Sequence, residues 1–376
     1  MKVHTITRLT ALLCVLWNGC ATNDYGTNDF AEVNNLKDLG TVNAAVLNSL
    51  GENVSLIGLD PRKVLRNGLT IGGAPNHMLL HAGEAWVLNS TSHSLDVLDA
   101  TTWVVLREYS LGLGCNPYMM ALTTDAQLVV TCLMTNELLL VNPFADPTTD
   151  PEPILKRLAM PDGADLKPND VDKPGEAKPQ GVAVIGQRAY VTITNLDSKW
   201  NPAGPGFVQV VDIGQWKLDK LIELTSTNAY WIHYPTSGGD RLYVSCATTY
   251  DGSGVVAVVD TTTDSVVSSV PIGGAPGRLW VDDNQTAWVG DMSDGRLLRF
   301  STVDGTILDP VVLCPADPAN GIYDFISDVA ADENGIIFAA CFATDTVQIF
   351  NRRACSCSRI TAGVGDGPQS LLVLPE

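Results

Sequence analysis

Short apolar runs recur along the chain, each stopped by an acidic or small polar residue, a turn and a further apolar run. The stops are Asp60, Asp99, Asn142, Asp212, Asp260, Ser301 and Asn351, spaced 39, 43, 70, 48, 41 and 50 residues apart. A repeat of roughly 40–50 residues with strand-type content predicts a radial array of small sheets. The unit is clearest over residues 241–281, where RLYVSCATT, VVAVVD and VVSSVPIGG alternate with the turns YDGSG and TTTDS. Runs such as LLLV, VVAVV and GIIFAA are apolar on both faces, as expected of sheets sandwiched between two neighbours. The predicted fold is therefore all-β, a seven-bladed β-propeller of four-stranded antiparallel blades.

Closure is predicted too. The first unit, residues 42–71, lacks an innermost strand, and DGPQSLLVLPE at 366–376 supplies a lone one. Three N-terminal strands plus this C-terminal strand would complete the seventh blade. Joining ends so far apart costs about 5 kcal/mol of loop entropy. Burying Leu371, Leu372, Val373 and Leu374 returns roughly 1.5–3 kcal/mol each, so closure wins. The 70-residue gap between Asn142 and Asp212 predicts one large surface insertion at residues 145–178, rich in Pro and Asp.

The pieces GGAP (ending at Pro75), AYVTITN (189–195), LYVSC (242–246) and VVAVVDTTTDSVVSSVPIGGAP (255–276) resemble the YVTN-type β-propeller repeat family. The likeness runs from about residue 40 to the end. It implies architecture strongly and activity hardly at all.

The N-terminus changes the picture. Lys2 and Arg8 precede the apolar stretch LTALLCVLW and then Asn18-Gly19-Cys20. This pattern predicts a secretory signal over residues 1–19. It resembles a bacterial lipoprotein signal, which implies lipidation of Cys20, although Trp17 stands where Leu is usual. Cleavage near Ala21 is the alternative. Residues 20–40 are read as a tether and 41–376 as the propeller. Ala21, where inner-membrane retention would call for Asp, favours the outer membrane over retention, or else a periplasmic protein. Loss of Lys2 and Arg8 leaves 21 basic against 42 acidic residues, a net of −21. Such a field repels a phosphate backbone, so nucleic acid is excluded as a partner.

Export permits disulfides. Cys115 lies in the connection entering one blade and Cys132 at the end of that blade's second strand. Cys314 and Cys341 occupy similar places in another, predicting the pairs Cys115–Cys132 and Cys314–Cys341. Cys246, Cys355 and Cys357 are left unassigned, and no metal or cofactor motif accompanies them.

Aligning the units at the start of each innermost strand gathers Asn76, His77, Tyr118, Gln180, Tyr230, Trp231, His233, Arg278, Asp328 and Gln369 around the channel rim. Aromatics, amides, one Arg and one carboxylate suit a polar ligand such as a glycan or peptide. The expected function is a monomeric, non-catalytic binding or scaffold module at the cell envelope, touching the membrane through its lipid alone. The alternative is a lyase or hydrolase at the channel mouth, with His77 or His233 as base and Asp328 or Asp324 as orienter. In the insertion, Asn169, Asp170, Asp172 and Glu176 supply oxygens for Ca²⁺, without the spacing of a calcium loop.

Overall fold

The computed structural model describes residues 28–375 apart from 147, 150–151, 170–171, 173, 236, 315–323 and 353–358. The signal segment, Cys20, Cys355 and Cys357 lie outside the described residues.

Seven antiparallel sheets form the blades of a closed propeller. Going round the ring, the innermost strands are Pro368–Val373, Pro75–His81, Pro117–Leu122, Pro179–Ile185, Ala229–His233, Pro276–Val281 and Ile326–Ala331. We number the blades one to seven in that order. Each later blade is a meander running outward in sequence order. Blade one is shared: Pro368–Val373 pairs with Ala44–Asn48, followed by Asn53–Leu59 and Arg62–Thr70. The predicted closure is therefore present.

The polar stops end the third strands for a local reason. Asp99 Oδ1 accepts hydrogen bonds from the N–H groups of Thr101 and Thr102. Asp260 Oδ1 accepts from Thr262 Oγ1 and from the N–H groups of Thr263 and Thr262, which together hold its carboxyl at about 2. A carboxylate that satisfies the turn's N–H groups ends a strand and sets its exit.

The strands before these stops are buried on both faces, as in Ser94–Asp99 and Val255–Asp260. Apolar clusters fill the seams between blades. At the closing seam Phe338, Ala340, Val347 and Ile349 of blade seven pack on Val46, Ile57 and Leu371 of blade one.

Two boundaries differ from the sequence reading. The packed domain begins before residue 41, because Ala31–Glu32 adds a parallel strand to Arg62–Thr70, and Phe30 and Leu39 are buried. Asp29 N donates to Thr361 O at 2.8 Å and Asp29 Oδ2 accepts from Thr361 N at 2.7 Å, tying this segment to blade seven. The expected insertion at 145–178 also contains Ile154–Ala159, the outermost strand of blade three. Its exposed, charged sequence, flanked by Pro and Asp, hid a strand that needs only one sheet neighbour.

Both predicted disulfides are present, Cys115–Cys132 and Cys314–Cys341. They point to an extracytoplasmic location. Cys246 ends the second strand of blade five, the place Cys132 and Cys341 hold in theirs, and burial pushes its thiol up to about 12.

Leu371 is the test of closure, being buried in the seam and contributed by the last strand. Leu371→Ala should cost about 2–5 kcal/mol in urea unfolding, whereas exposed Leu50→Ala should cost under about 0.5 kcal/mol.

Candidate functional site

Every innermost strand breaks register just after its first residue. These bulges re-aim the next side chains toward the axis, a common device beside functional sites. Beyond them the two-residue strand period returns, and successive side chains turn to the two neighbouring seams, Met120 to the one shared with blade two and Met119 with Ala121 to the one shared with blade four, while both sets border the channel. Three layers result.

The upper layer, where the chain enters the blades, carries Asn76, Tyr118, Gln180, Tyr230 and Gln369. The middle layer carries His77, Met119, Trp231, Arg278 and Asp328. The lower layer carries Leu79, Ala121, Ala183, His233, Trp280, Ala330 and Leu372. The middle and lower layers line one cavity of about 530 Å³. The predicted ring is thus two stacked rings, with His233 beneath both. Counting residues from a common start concealed this, because one bulge shifts a side chain by a whole layer.

Arg278 dominates the middle layer and is only 1% exposed. Its Nη1 donates to Asp328 Oδ2 at 3.1 Å, and its Nη2 reaches across the channel to Asn76 O and Oδ1 at 2.5 and 3.1 Å. The guanidinium lies 4.5 Å from the Trp231 ring centroid, a cation–π contact. Asp328 also accepts from Leu371 N and Val329 N, both at 2.8 Å. Burial raises the Asp328 carboxyl, and Arg278 with these two N–H groups opposes that rise. Asn76 Nδ2 in turn donates to Tyr118 O at 3.3 Å, and Tyr118 Oη to Tyr230 Oη at 2.7 Å. One hydrogen-bonded web therefore spans the channel and joins blades six, seven, one, two, three and five. Burial and the neighbouring Tyr230 hold the Tyr118 phenol protonated.

Among the described residues, four polar atoms in the channel wall have no hydrogen-bond partner: His77 Nδ1, Gln180 Oε1, His233 Nε2 and Arg278 Nε. Burial, then Arg278, lowers His77 to about 3, and burial lowers His233 to about 4. Both imidazoles are neutral at physiological pH.

The acid–base pairs considered from sequence do not assemble. No hydrogen bond among the described residues joins His77 or His233 to Asp328 or Asp324. Asp328 is taken by Arg278, and Asp324 accepts from Phe325 N, Ala343 N and Thr344 Oγ1. Cys314, Asp324 and Cys341 lie close together, but both sulfurs are in the disulfide, which removes them as thiolate ligands. Of the calcium candidates, Asp170 lies outside the described residues, and Glu176 pairs with Lys178 Nζ at 2.6 Å. Sequence reasoning missed Met119, Trp280 and the lower-layer alanines. The signal for them was position: they follow the rim residues along the same innermost strands.

No protein-family model and no curated protein sequence matches the chain. Among solved structures, a functionally unknown protein from Desulfotomaculum acetoxidans DSM 771 is similar at TM-score 0.64 and 14% identity, over 89% of this chain and 100% of that one. Hydrazine synthase of Kuenenia stuttgartiensis gives TM-score 0.59 and 16% identity, over 79% and 88%. Virginiamycin B lyase from Staphylococcus aureus gives 0.55 and 11%, over 77% and 84%. At these identities the likeness establishes the seven-bladed propeller fold alone.

Two outcomes follow from the web. Arg278→Met strands a buried carboxylate and should cost about 3–5 kcal/mol, whereas R278M/D328N should recover most of that in urea unfolding. The unfolded histidines bind protons near the ordinary value of 6.5, above their folded values of about 3 and 4. Stability from the neutral rings is therefore full above about pH 6.5 and lost as pH falls through the folded values. H77F/H233F should lose fewer degrees of Tm between about pH 7 and about pH 5 than the native chain.

Proposed function

We propose that this chain is an exported, non-catalytic binding propeller of a bacterial cell envelope. It is lipidated at Cys20 and takes a polar ligand, a glycan or an envelope protein segment, on its upper layer as a monomer. The YVTN-type repeat and the lipoprotein-like signal support the envelope assignment, and the two disulfides fit it.

The observation that carries the binding reading is the upper layer itself. Tyr118 and Gln369 remain partly open, and the buried Gln180 Oε1 has no partner. An amide oxygen left unpaired costs free energy that a ligand hydroxyl or N–H would recover. Aromatic faces beside such amides suit sugar rings and peptide side chains alike. Leu113, Met134, Trp200 and Tyr250, all exposed, stand on loops of the same end and widen the surface for a partner. The lyase or hydrolase alternative draws on the shared fold of virginiamycin B lyase, and the unassembled His–Asp pairs weigh against it.

The test uses muropeptides from digested cell wall as the probe, followed by calorimetric titration. Tyr118→Ala should weaken binding at least tenfold, about 1.4 kcal/mol or more, with circular dichroism confirming the folded sheet. Unchanged binding would remove the upper layer from the reading, and turnover of the probe by the native chain would favour the enzyme.

A further inference from the structure

Below the Arg278 web the channel changes character, and nothing in the reading above uses that end. The lower layer is built from three alanines (Ala121, Ala183 and Ala330), Leu79, Leu372 and Trp280, and among the described residues His233, Tyr234 and Ser370 add polar groups to the same cavity. Where these strands border the cavity, the small alanine side chains leave room in the channel. The resulting cavity of about 530 Å³ falls within the range of small-molecule sites, about 300–1,000 Å³.

We propose that this lower chamber is a binding site for an uncharged, mainly apolar organic molecule carrying one or two hydrogen-bonding groups. Three observations converge on that class. The walls are aliphatic and aromatic, so an apolar body gains about 25 cal/mol for each Å² it removes from water. The floor is polar but carries no net charge, because Asp328 already neutralises Arg278 at 3.1 Å. Among the described residues His77 Nδ1 and His233 Nε2 have no hydrogen-bond partner, and both rings line the chamber, so each can turn a nitrogen to a hydroxyl or carbonyl. An anion would find its only cation engaged and would approach a chain of formal charge −19. A cation would lie against the buried guanidinium and find no free carboxylate in the chamber. Desolvating either ion without a partner is costly, so the chamber selects against both.

The experiment titrates the purified full chain with the neutral fluorophore Nile red and displaces it with three molecules sharing one apolar body: 1-adamantanemethanol, 1-adamantanecarboxylate and 1-adamantylammonium. The alcohol should displace Nile red at concentrations at least tenfold below either ion. Ala121→Trp and Ala183→Trp, which fill the chamber from different blades, should each weaken Nile red binding at least tenfold, with circular dichroism confirming the folded sheet. Nile red binding unchanged in a folded filling variant would overturn the site. Equal displacement by the three competitors would overturn the ligand class.

Discussion

A sheet that is apolar on both faces must have a neighbour on each side, and every blade here is of that kind. An open row of such sheets would leave two end faces in water, each exposing side chains such as Val46 and Ile57 on one end or Phe338 and Ile349 on the other. The ring removes both ends at once. Its cost is the entropy of bringing distant chain termini together, which is why blade one is assembled from both. The strand at Ala31–Glu32 and the bonds of Asp29 to Thr361 then fasten the outer edge of the same seam. Closure is thus secured at the axis and at the rim.

The closed ring sets the chemistry available at its axis. Seven inner strands converge there, each bulged after its first residue, and consecutive residues such as Tyr230 and Trp231 supply the upper and middle layers. Such a narrow channel brings residues far apart in sequence within hydrogen-bond reach. Arg278 meets Asn76 across it and Asp328 beside it. Burial among the inner strands keeps His77 and His233 neutral. A charged pair sealed in the middle divides the channel into a polar upper end and an apolar lower one.

Much of the fold was legible in the sequence, because single residues carried the signal. Asp99 and Asp260 are strand stops because their carboxylates cap turns. Cys115 and Cys132 could be paired because they fall at matching ends of one blade. The lone strand at 368–373 announced a vacancy at residues 42–71. Other features had no such mark. Ile154–Ala159 is charged and flanked by prolines, since an outermost strand need not hide both faces. Phe30 and Leu39 sit in a stretch that composition reads as a polar leader. The channel residues were found as a set but placed in one ring, since an alignment by count does not register a bulge. The lower alanines were invisible because Ala in an apolar strand looks like seam packing.

The alternation along the inner strands has an evolutionary corollary. Residues such as Met120, Val182 and Leu279 pack into one seam, while their neighbours Met119, Ala183 and Trp280 pack toward the next, and both sets border the channel. The exposed loop residues of the entry end, such as Leu113 and Trp200, hold neither seam, so recognition can drift there while architecture stays fixed. A scaffold arranged in this way accommodates dissimilar duties in distant lineages, and its outline alone is a poor guide to any one of them.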